Sequence, residues 1–403
     1  MHKADFTAVK FDALEPAVLD DPYPVYADLR AAGRVCPGGP AQWVVTRYAD
    51  VEPLLRDNRL SSEFPAEYHR FALGSGPASA FLKRIILTRD PPDHIRLRRL
   101  MGKAFSAGYV RTLGDHIRDS VDRLLASAMD TGRLDAVGDL GFPLPVLVIS
   151  DLLGIPPADR DEVWPRAADL AKALGTIAPT AEERACADEA VVWLREYLGE
   201  LLEYRRAAPG DDQLSRMIAV EENGQRLSDD DILDNAVFLF FAGFETTRGM
   251  ISNGCAELLL HPDQTARLRE DPALIPTAVE EFVRYDSPIQ WVARIAREPI
   301  AIGDHTVRRG RVVMLLLGSA NRDERRFPSP DRFDVGRTPN PHVGFGGGFH
   351  HCLGRALARA EGRVLFSQLL NRFAAIEPAG TPVRRPHPTI RCYAAVPMSV
   401  RPR

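Results

Sequence analysis

A helical pattern of about 32 residues constrains the fold of this chain more than any other feature of its sequence. The pattern begins after Ser228, which forms the S-x-x-D signature of a capping box with Asp231, and it ends at His261-Pro262. At 1.5 Å per residue, such a helix is roughly 48 Å long. We therefore expect it to cross the whole molecule, with the other elements packed around it.

The remaining elements are predominantly helical. Patterning predicts helices at 25–32, 93–105, 114–130, 144–153, 158–174, 181–206, 276–287 and 353–373. It predicts strands at 42–46, 291–295, 300–302, 311–317 and 393–400, a long loop with a short helix at 61–86, and irregular chain at 321–348. No repeat or linker divides the sequence, so we expect a single domain over 1–403, mainly α with small β-sheets.

Composition excludes several classes of protein. The 403 residues are 45% hydrophobic and 26% charged, with a net charge of −4, which argues against a disordered chain or a nucleic-acid partner. The five cysteines are scattered without a C-x-x-C pair, as in a reducing cytoplasm. No signal peptide is visible at the start, and no run of about 18 apolar residues predicts a membrane anchor.

A glycine-rich loop delivers one cysteine to the start of the last long helix. Residues 345–354 read FGGGFHHCLG, and the helix N-terminus predicts a lowered pKa for the Cys352 thiol, as an axial haem ligand requires. A phosphate loop would need a third glycine and a Lys-Ser/Thr pair, and a zinc site would need a spaced partner pair. A purely structural turn before the helix is the alternative for an isolated cysteine.

Three further patterns place polar groups on helices. Glu281-x-x-Arg284 shares one helix face, although such pairs are commonly solvated surface bridges. His94 and Arg98, four residues apart, also share a face, with a solvated basic helix as the alternative. The segment 242–247, AGFETT, breaks local helix preferences, which indicates either a functional site or a kink with threonine hydroxyls bonded to preceding carbonyls.

Taken together, these motifs resemble those of the cytochrome P450 family, the haem-thiolate monooxygenases. Phe345-x-x-Gly348-x-x-x-Cys352-x-Gly354 is similar to the haem-binding loop of the family. Glu281-x-x-Arg284 resembles the E-x-x-R motif, and 330–333, PDRF, matches the segment that carries its third member. The resemblance covers essentially the whole chain. It implies the P450 fold, with haem between the long central helix and the cysteine-loop helix.

The resemblance also implies a set of site residues around haem b. Cys352 is implied as the axial ligand of the iron, and Glu281, Arg284 and Arg332 as a structural lock behind the haem. Glu245 and Thr246 look like the acid–alcohol pair that supplies protons while dioxygen is cleaved, with Gly243 leaving room for oxygen. The residues implied to contact the haem or its propionates are His94, Arg98, Ala242, Arg294, Phe345, Gly346 and His350.

By family position, a mostly apolar set of residues lines the substrate pocket, which favours a lipophilic or aromatic substrate. The set is Ile85, Ile86, Phe238, Phe241, Ile289, Gln290 and Val292. His69, Arg70, Lys83 and Arg84 lie in or beside the 61–86 loop and are either an ordinary solvated surface or a contact for an acidic group, including a carrier-protein phosphopantetheine.

The resemblance implies insertion of one oxygen atom, by hydroxylation or epoxidation, in secondary metabolism such as antibiotic or polyketide biosynthesis. Electrons would come from NAD(P)H through a separate ferredoxin or flavodoxin and its reductase. Basic residues in 89–111 and the last helix, including Arg359 and Arg363, suit docking of an acidic donor to a cytoplasmic monomer. The alternatives are a peroxide-driven peroxygenase and a non-catalytic haem sensor, and the Glu245–Thr246 pair argues against both.

Overall fold

The computed structural model describes residues 10–105, 107–174 and 179–403, and helix predominates in them. The α-helices are α1 Pro16–Asp20, α2 Pro22–Ala32, α3 Tyr48–Leu54, α4 Ala66–Leu73, α5 Pro77–Leu82, α6 Asp93–Ala104, α7 Ala107–Thr131, α8 Pro143–Leu153, α9 Arg160–Leu174, α10 Ala181–Ala207, α11 Gln213–Ala219, α12 Asp229–Leu260, α13 Pro262–Glu270, α14 Ile275–Tyr285, α15 Leu317–Ala320 and α16 Arg355–Arg372.

The strands are short and form small sheets at the edge of the helical body. They are β1 Val35–Pro37, β2 Gln42–Val45, β3 Leu60–Ser61, β4 Arg133–Asp135, β5 Glu221–Glu222, β6 Gln225–Arg226, β7 Val292–Ala296, β8 Ile300–Ile302, β9 His305–Val307, β10 Val312–Leu315, β11 Phe373–Pro378, β12 Val383–Arg384, β13 Tyr393–Ala395 and β14 Pro397–Pro402. The largest sheet has the order β1-β2-β10-β7-β3, and only its β2–β10 pair is parallel. A second sheet has the order β11-β14-β4, and three two-stranded ribbons complete the strands.

Helix α12 is the long central helix that the sequence predicts. Its 32 residues begin at a true capping box, in which the Ser228 hydroxyl accepts from the Asp231 amide at 3.1 Å and the Asp231 carboxylate accepts from the Ser228 amide at 3.0 Å. Side chains are buried along most of its length, and it packs against α8, α9, α10, α14 and α16. A helix buried on nearly all sides forms the centre of a core.

A glycine lets α12 approach the two helices that carry the cysteine-side motifs. A Cβ at Gly254 would lie 2.6 Å from Phe366 of α16 and 3.0 Å from Phe282 of α14. The helices also approach closely at Gly362 of α16, where a Cβ would lie 3.0 Å from Met250 of α12. These close contacts fix α14 and α16 against the central helix and so fix the position of the cysteine loop between them.

The structure differs from the predicted elements where local signals are weak. The 61–86 segment holds two short helices, α4 and α5, instead of one, and α11, β9, β11 and β12 carry too few residues for a periodic pattern. Pro262, which was expected only to end a helix, also begins α13, because proline suits the first turn. A single domain over the whole chain stays a prediction.

One segment, Ala136–Leu153, is long and apolar enough to cross a bilayer by length and composition. It contains Asp139 and Asp151, and 67% of it is buried inside the protein. It packs against α7 and α12. A core helix has the same properties, so this segment is not evidence for a membrane span.

Candidate functional site

The cysteine loop is held by its own backbone. The Cys352 amide donates to the Phe345 carbonyl at 2.9 Å, and Gly346 and Gly348 adopt left-handed φ values of 69° and 61°. At Gly348 a Cβ would also lie 2.5 Å from the Leu55 carbonyl oxygen. The left-handed φ value and this close approach therefore each require glycine at position 348. The loop therefore presents Cys352 just before α16, as the sequence predicts.

The expected lowering of the Cys352 pKa is wrong for the protein without bound iron. Burial raises the pKa of the thiol above its usual value, and the Gly354 amide and the charge of Arg98 oppose that rise only in part. Desolvation of a thiolate outweighs the helix terminus at this depth. A bound metal cation would be needed to hold this sulfur as a thiolate.

Four basic side chains converge near this loop from three elements. His94 and Arg98 lie on α6, Arg294 on β7 and His350 two residues before the cysteine, and the His94 and His350 rings are 4.2 Å apart. Burial, then Arg98, lowers the pKa of His94 to about 4; burial, then Arg294, lowers that of His350 to about 2. Burial also lowers the pKa of Arg294 to about 10.

The charges of Asp90 and Asp93 act on His94, and that of Asp90 acts on Arg294, but neither carboxylate bonds to the four groups within the described residues. No carboxylate there bonds to Arg98 or Arg294, and the buried Nδ1 atom of His94 has no hydrogen-bond partner. A buried cation without a partner is costly unless a ligand supplies the opposite charge. The two propionates of a haem are a dianion of the required kind, so the cluster and the nearby cysteine fit that group.

The E-x-x-R pair is a buried structural cluster, and its third member is not the predicted one. Arg284 donates to both carboxylate oxygens of Glu281 at 2.7 and 2.8 Å, and both side chains are fully buried. The prediction for Arg332 is wrong: its side chain is exposed, and Arg337 bonds to Glu281 at 3.2 Å instead. Arg337 also donates to the Arg332 carbonyl, so the predicted segment contributes its backbone.

Glu245 and Thr246 point to different neighbours. The Thr246 hydroxyl donates to the Ala242 carbonyl at 2.9 Å, as in the alternative interpretation of this segment. The Glu245 carboxylate is buried and accepts from Arg385 at 2.7 Å, with Arg248 at 3.7 Å. No local pattern indicates Arg385 as a partner of Glu245, because Arg385 lies 140 residues away in the chain.

Gly243 packs against α8, and the expectation that it leaves room for oxygen stays a prediction. A Cβ there would lie 3.0 Å from the Ile149 side chain of α8. Its neighbour Ala242 is half-buried on α12. The places of Ala242, Phe345 and Gly346 against a haem stay predictions.

The predicted pocket residues fall into three groups. Ile85 and Ile86 are buried in the large core around α12, against which Phe238 and Phe241 also pack. Ile289 and Val292 pack against the separate core of the five-stranded sheet. Gln290 does not belong with either group, because its amide donates to the Ser287 carbonyl at 2.7 Å and approaches the Tyr23 hydroxyl at 3.4 Å. A pocket role for Gln290 is therefore not supported.

A cavity of about 290 Å³ brings part of the predicted basic loop together. His69, Lys83 and Arg84 line it with Glu63 and Arg89, whereas Arg70 is exposed and does not. Arg84 is already paired with Asp234 at 2.5 Å. Burial, then the charge of Lys83, lowers the pKa of His69. Lys83 itself has no ion-pair partner among the described residues.

The predicted basic docking face is largely neutralised. Arg96 pairs with Asp93 and Asp231, Arg99 and Lys103 with Glu222, and Arg359 with Glu280. Most of these acidic residues lie far away in the sequence, so a local count of charges overestimates the net positive charge of the face. Arg363 is exposed on α16 and has no ion-pair partner among the described residues.

Fold and site together define a haem-thiolate protein: a long central helix, a glycine-rich cysteine loop and a group of basic side chains to which no carboxylate bonds in the described residues. Comparisons with known proteins agree. The model of the family described as Cytochrome P450 matches residues 187–394. The chain is 40% identical to vitamin D(3) 25-hydroxylase of Pseudonocardia autotrophica over 87% of this chain and 85% of that protein.

It is also 37% identical to the cytochrome P450 monooxygenase PikC of Streptomyces venezuelae, over 94% of this chain and 91% of that protein. Among solved structures it is similar to P450BioI in complex with an acyl carrier protein ligated to hexadec-9Z-enoic acid. That match has a TM-score of 0.89 and 34% identity, and covers 95% of this chain and 99% of the other. The chain belongs to the cytochrome P450 family and is a haem-iron monooxygenase, and the predicted fold is confirmed.

Proposed function

We propose that the chain uses haem b, held through Cys352, to insert one oxygen atom into a lipophilic or aromatic small molecule in secondary metabolism. The observation that carries this proposal is the cluster of His94, Arg98, Arg294 and His350. His94 and Arg294 are buried, and Arg98 and His350 are partly buried. No carboxylate in the described residues bonds to any of the four, although the charge of Asp90 acts on His94 and Arg294. The bound haem supplies the activation of dioxygen, and the protein supplies the position, the protons and the pocket.

Each residue of the cation cluster has one task. Arg98 and Arg294 donate to the propionates, and the unpartnered Nδ1 atom of His94 gains a partner there. Binding of this dianion favours the protonated histidines, whose pKa values are depressed in its absence. The cluster therefore orients the haem and compensates its negative charge.

Thr246 carries a proton on its hydroxyl, and Glu245 accepts a hydrogen bond from an arginine. The Thr246 hydroxyl donates to the Ala242 carbonyl, one turn earlier on α12. Glu245 is bonded to Arg385, whose side chain is 23% exposed, so this ion pair connects the buried carboxylate to solvent. Protons reach the site from Glu245 and are positioned by Thr246.

Ile85, Ile86, Phe238 and Phe241 form the apolar wall of the substrate site, since they share one core beside α12. The cavity at His69 and Lys83 takes an acidic group at the end of a substrate. A substrate bound to a carrier protein through a phosphopantetheine has such a group, and the related P450BioI forms a complex with an acyl carrier protein.

Electrons come from NAD(P)H through a separate ferredoxin or flavodoxin and its reductase. The donor docks on the cysteine side, where exposed Arg363 remains available for an acidic partner. We propose a cytoplasmic monomer, in keeping with free cysteines at 36, 186, 255, 352 and 392.

The test is turnover with NADPH, a ferredoxin and its reductase. Hexadec-9Z-enoic acid is the probe that carries a carboxylate, and vitamin D3 is the probe that lacks one. We expect oxidation of at least one probe and, in Thr246→Ala, electrons consumed with at least tenfold less product, in line with loss of a positioned proton donor. Thr246→Ser, which keeps the hydroxyl, should restore coupling. Full coupling in Thr246→Ala would contradict the relay, and turnover with peroxide alone would favour a peroxygenase.

A further inference from the structure

The structure places a second charged group beside the cysteine loop. Glu280 of α14 accepts from Arg359 of α16 through both of its oxygens, at 2.6 and 2.8 Å. His342 lies 3.0 Å from the same carboxylate and is almost fully buried. The three side chains thus form one hydrogen-bonded unit between two helices.

This unit contacts the cysteine loop at Phe345. The Arg359 guanidinium carbon lies 4.6 Å from the centre of the Phe345 ring, within range of a cation–π contact, and the His342 ring lies 5.6 Å from it. The Phe345 carbonyl in turn accepts from the Cys352 amide at 2.9 Å. One residue therefore joins the charged unit to the backbone of the iron ligand.

The charge of Arg359 also interacts electrostatically with Cys352. The hydrogen bond and charge of Glu280 raise the pKa of Arg359, and the Cys352 thiolate adds to that rise. The interaction is mutual, so the guanidinium stabilises negative charge at the sulfur. Burial works against ionisation of Glu280, but Arg359 and His342 outweigh it and lower the pKa of Glu280 to about 2. Glu280 is therefore an anion that partly cancels the cation.

We propose that the Glu280–Arg359 pair sets the electron affinity of the haem–thiolate centre, with Arg359 as a positioning residue that acts through Phe345 and its own charge. This inference rests on the proposed function, because it requires haem on Cys352. It also gives Arg359 a role other than donor docking, since a guanidinium engaged by both oxygens of Glu280 and by a ring is not free to bind a partner.

The sign of the effect follows from electrostatics. Reduction of the iron adds one negative charge to the centre, so a nearby cation favours the reduced form and a nearby anion disfavours it. Loss of Arg359 leaves the anion Glu280 and should lower the reduction potential. Loss of the charge on Glu280 leaves the cation Arg359 and should raise the potential.

The experiment is a spectroelectrochemical titration of the haem-loaded protein, without any donor, for Arg359→Gln, Glu280→Gln and the double variant. We expect the ratio of reduced to oxidised protein at a fixed potential to fall at least threefold in Arg359→Gln and to rise at least threefold in Glu280→Gln. Threefold corresponds to about 28 mV at 59 mV per decade. The double variant should return close to the starting protein, and Arg359→Lys should recover part of the shift.

Arg363→Gln is the matched control, because Arg363 lies one turn further along α16, is exposed and has no ion-pair partner in the described chain. Its potential should be unchanged. A pair that only tethers α14 to α16 would lower the melting temperature in both single variants and shift both potentials in the same direction or not at all. Either result would overturn the inference. Loss of the thiolate spectrum in the unsubstituted protein would instead overturn the proposed function.

Discussion

Two charge clusters, one around Glu281 and one around His94, differ in whether their charges balance. Around Glu281, the cations Arg284 and Arg337 share one carboxylate and several carbonyl groups. Both guanidinium groups are therefore already bonded within the protein. Around His94, four basic groups meet without a bonded carboxylate in the described residues. The balanced cluster stabilises the fold, and the unbalanced one is built for an anion.

The balanced cluster should give the largest effect when it is broken. Glu281→Gln leaves two buried guanidinium groups without their anion, and we expect a loss of about 3–5 kcal/mol in the free energy of unfolding. Urea unfolding of the haem-loaded protein measures it. A change below about 1 kcal/mol would mean that Arg284 finds other partners and that the cluster is not the lock described here.

The unbalanced cluster should make the haem-free protein sensitive to acid. In the folded protein burial lowers the pKa of His94 to about 4 and that of His350 to about 2, below the ordinary histidine pKa of 6.5, so the unfolded chain binds more protons between those limits. Stability is then present above pH 6.5 and falls as the pH drops from 6.5 toward 4, by about 1.4 kcal/mol per pH unit for each histidine.

Urea unfolding of haem-free protein at a series of pH values checks this dependence. His94→Gln should reduce the slope, whereas His116→Gln, at an exposed position on α7, should not. Haem loading should flatten the profile, because its propionates favour the charged histidines. A haem-free protein equally stable at pH 7 and pH 5 would show that these rings are not held neutral.

Removal of one cation from the unbalanced cluster should weaken haem binding without harming the fold. We expect Arg294→Gln to increase haem loss about tenfold to a hundredfold, as for a charge-assisted hydrogen bond of about 1.5–3 kcal/mol. Transfer of haem to an acceptor apoprotein measures the rate. The haem-free variant should lose little stability, because no carboxylate in the described residues bonds to Arg294 and only the charge of Asp90 acts on it; a large loss would place Arg294 in the fold instead.

The smallest expected change in stability is the difference between the Arg337 and Arg332 variants. Arg337→Gln should destabilise the protein because it breaks a buried contact, whereas Arg332→Gln should change stability by less than about 0.5 kcal/mol, as at an exposed site. Thermal unfolding of both variants decides between them. Equal effects would restore the role that the sequence pattern assigns to Arg332.

These contrasts show which parts of the site the sequence could reveal. The bounds of α12, its capping box and the cysteine loop follow from local patterns, since neighbouring residues decide them. The choice of Arg337 over Arg332 depends on how far a side chain reaches across an irregular segment. The bond from Arg385 to Glu245 and the neutralised basic face depend on partners distant in the chain, which no local pattern carries.

The central claim is that Cys352 and the unbalanced cluster hold a haem through a thiolate. The most direct measurement is the absorption spectrum of the dithionite-reduced protein with carbon monoxide, for the starting chain, Cys352→His and the control Cys186→Ala. We predict the red-shifted Soret band of thiolate ligation in the starting chain and the control, and its loss in Cys352→His. A Soret band typical of histidine ligation in the starting chain, or one that survives Cys352→His, would contradict the account.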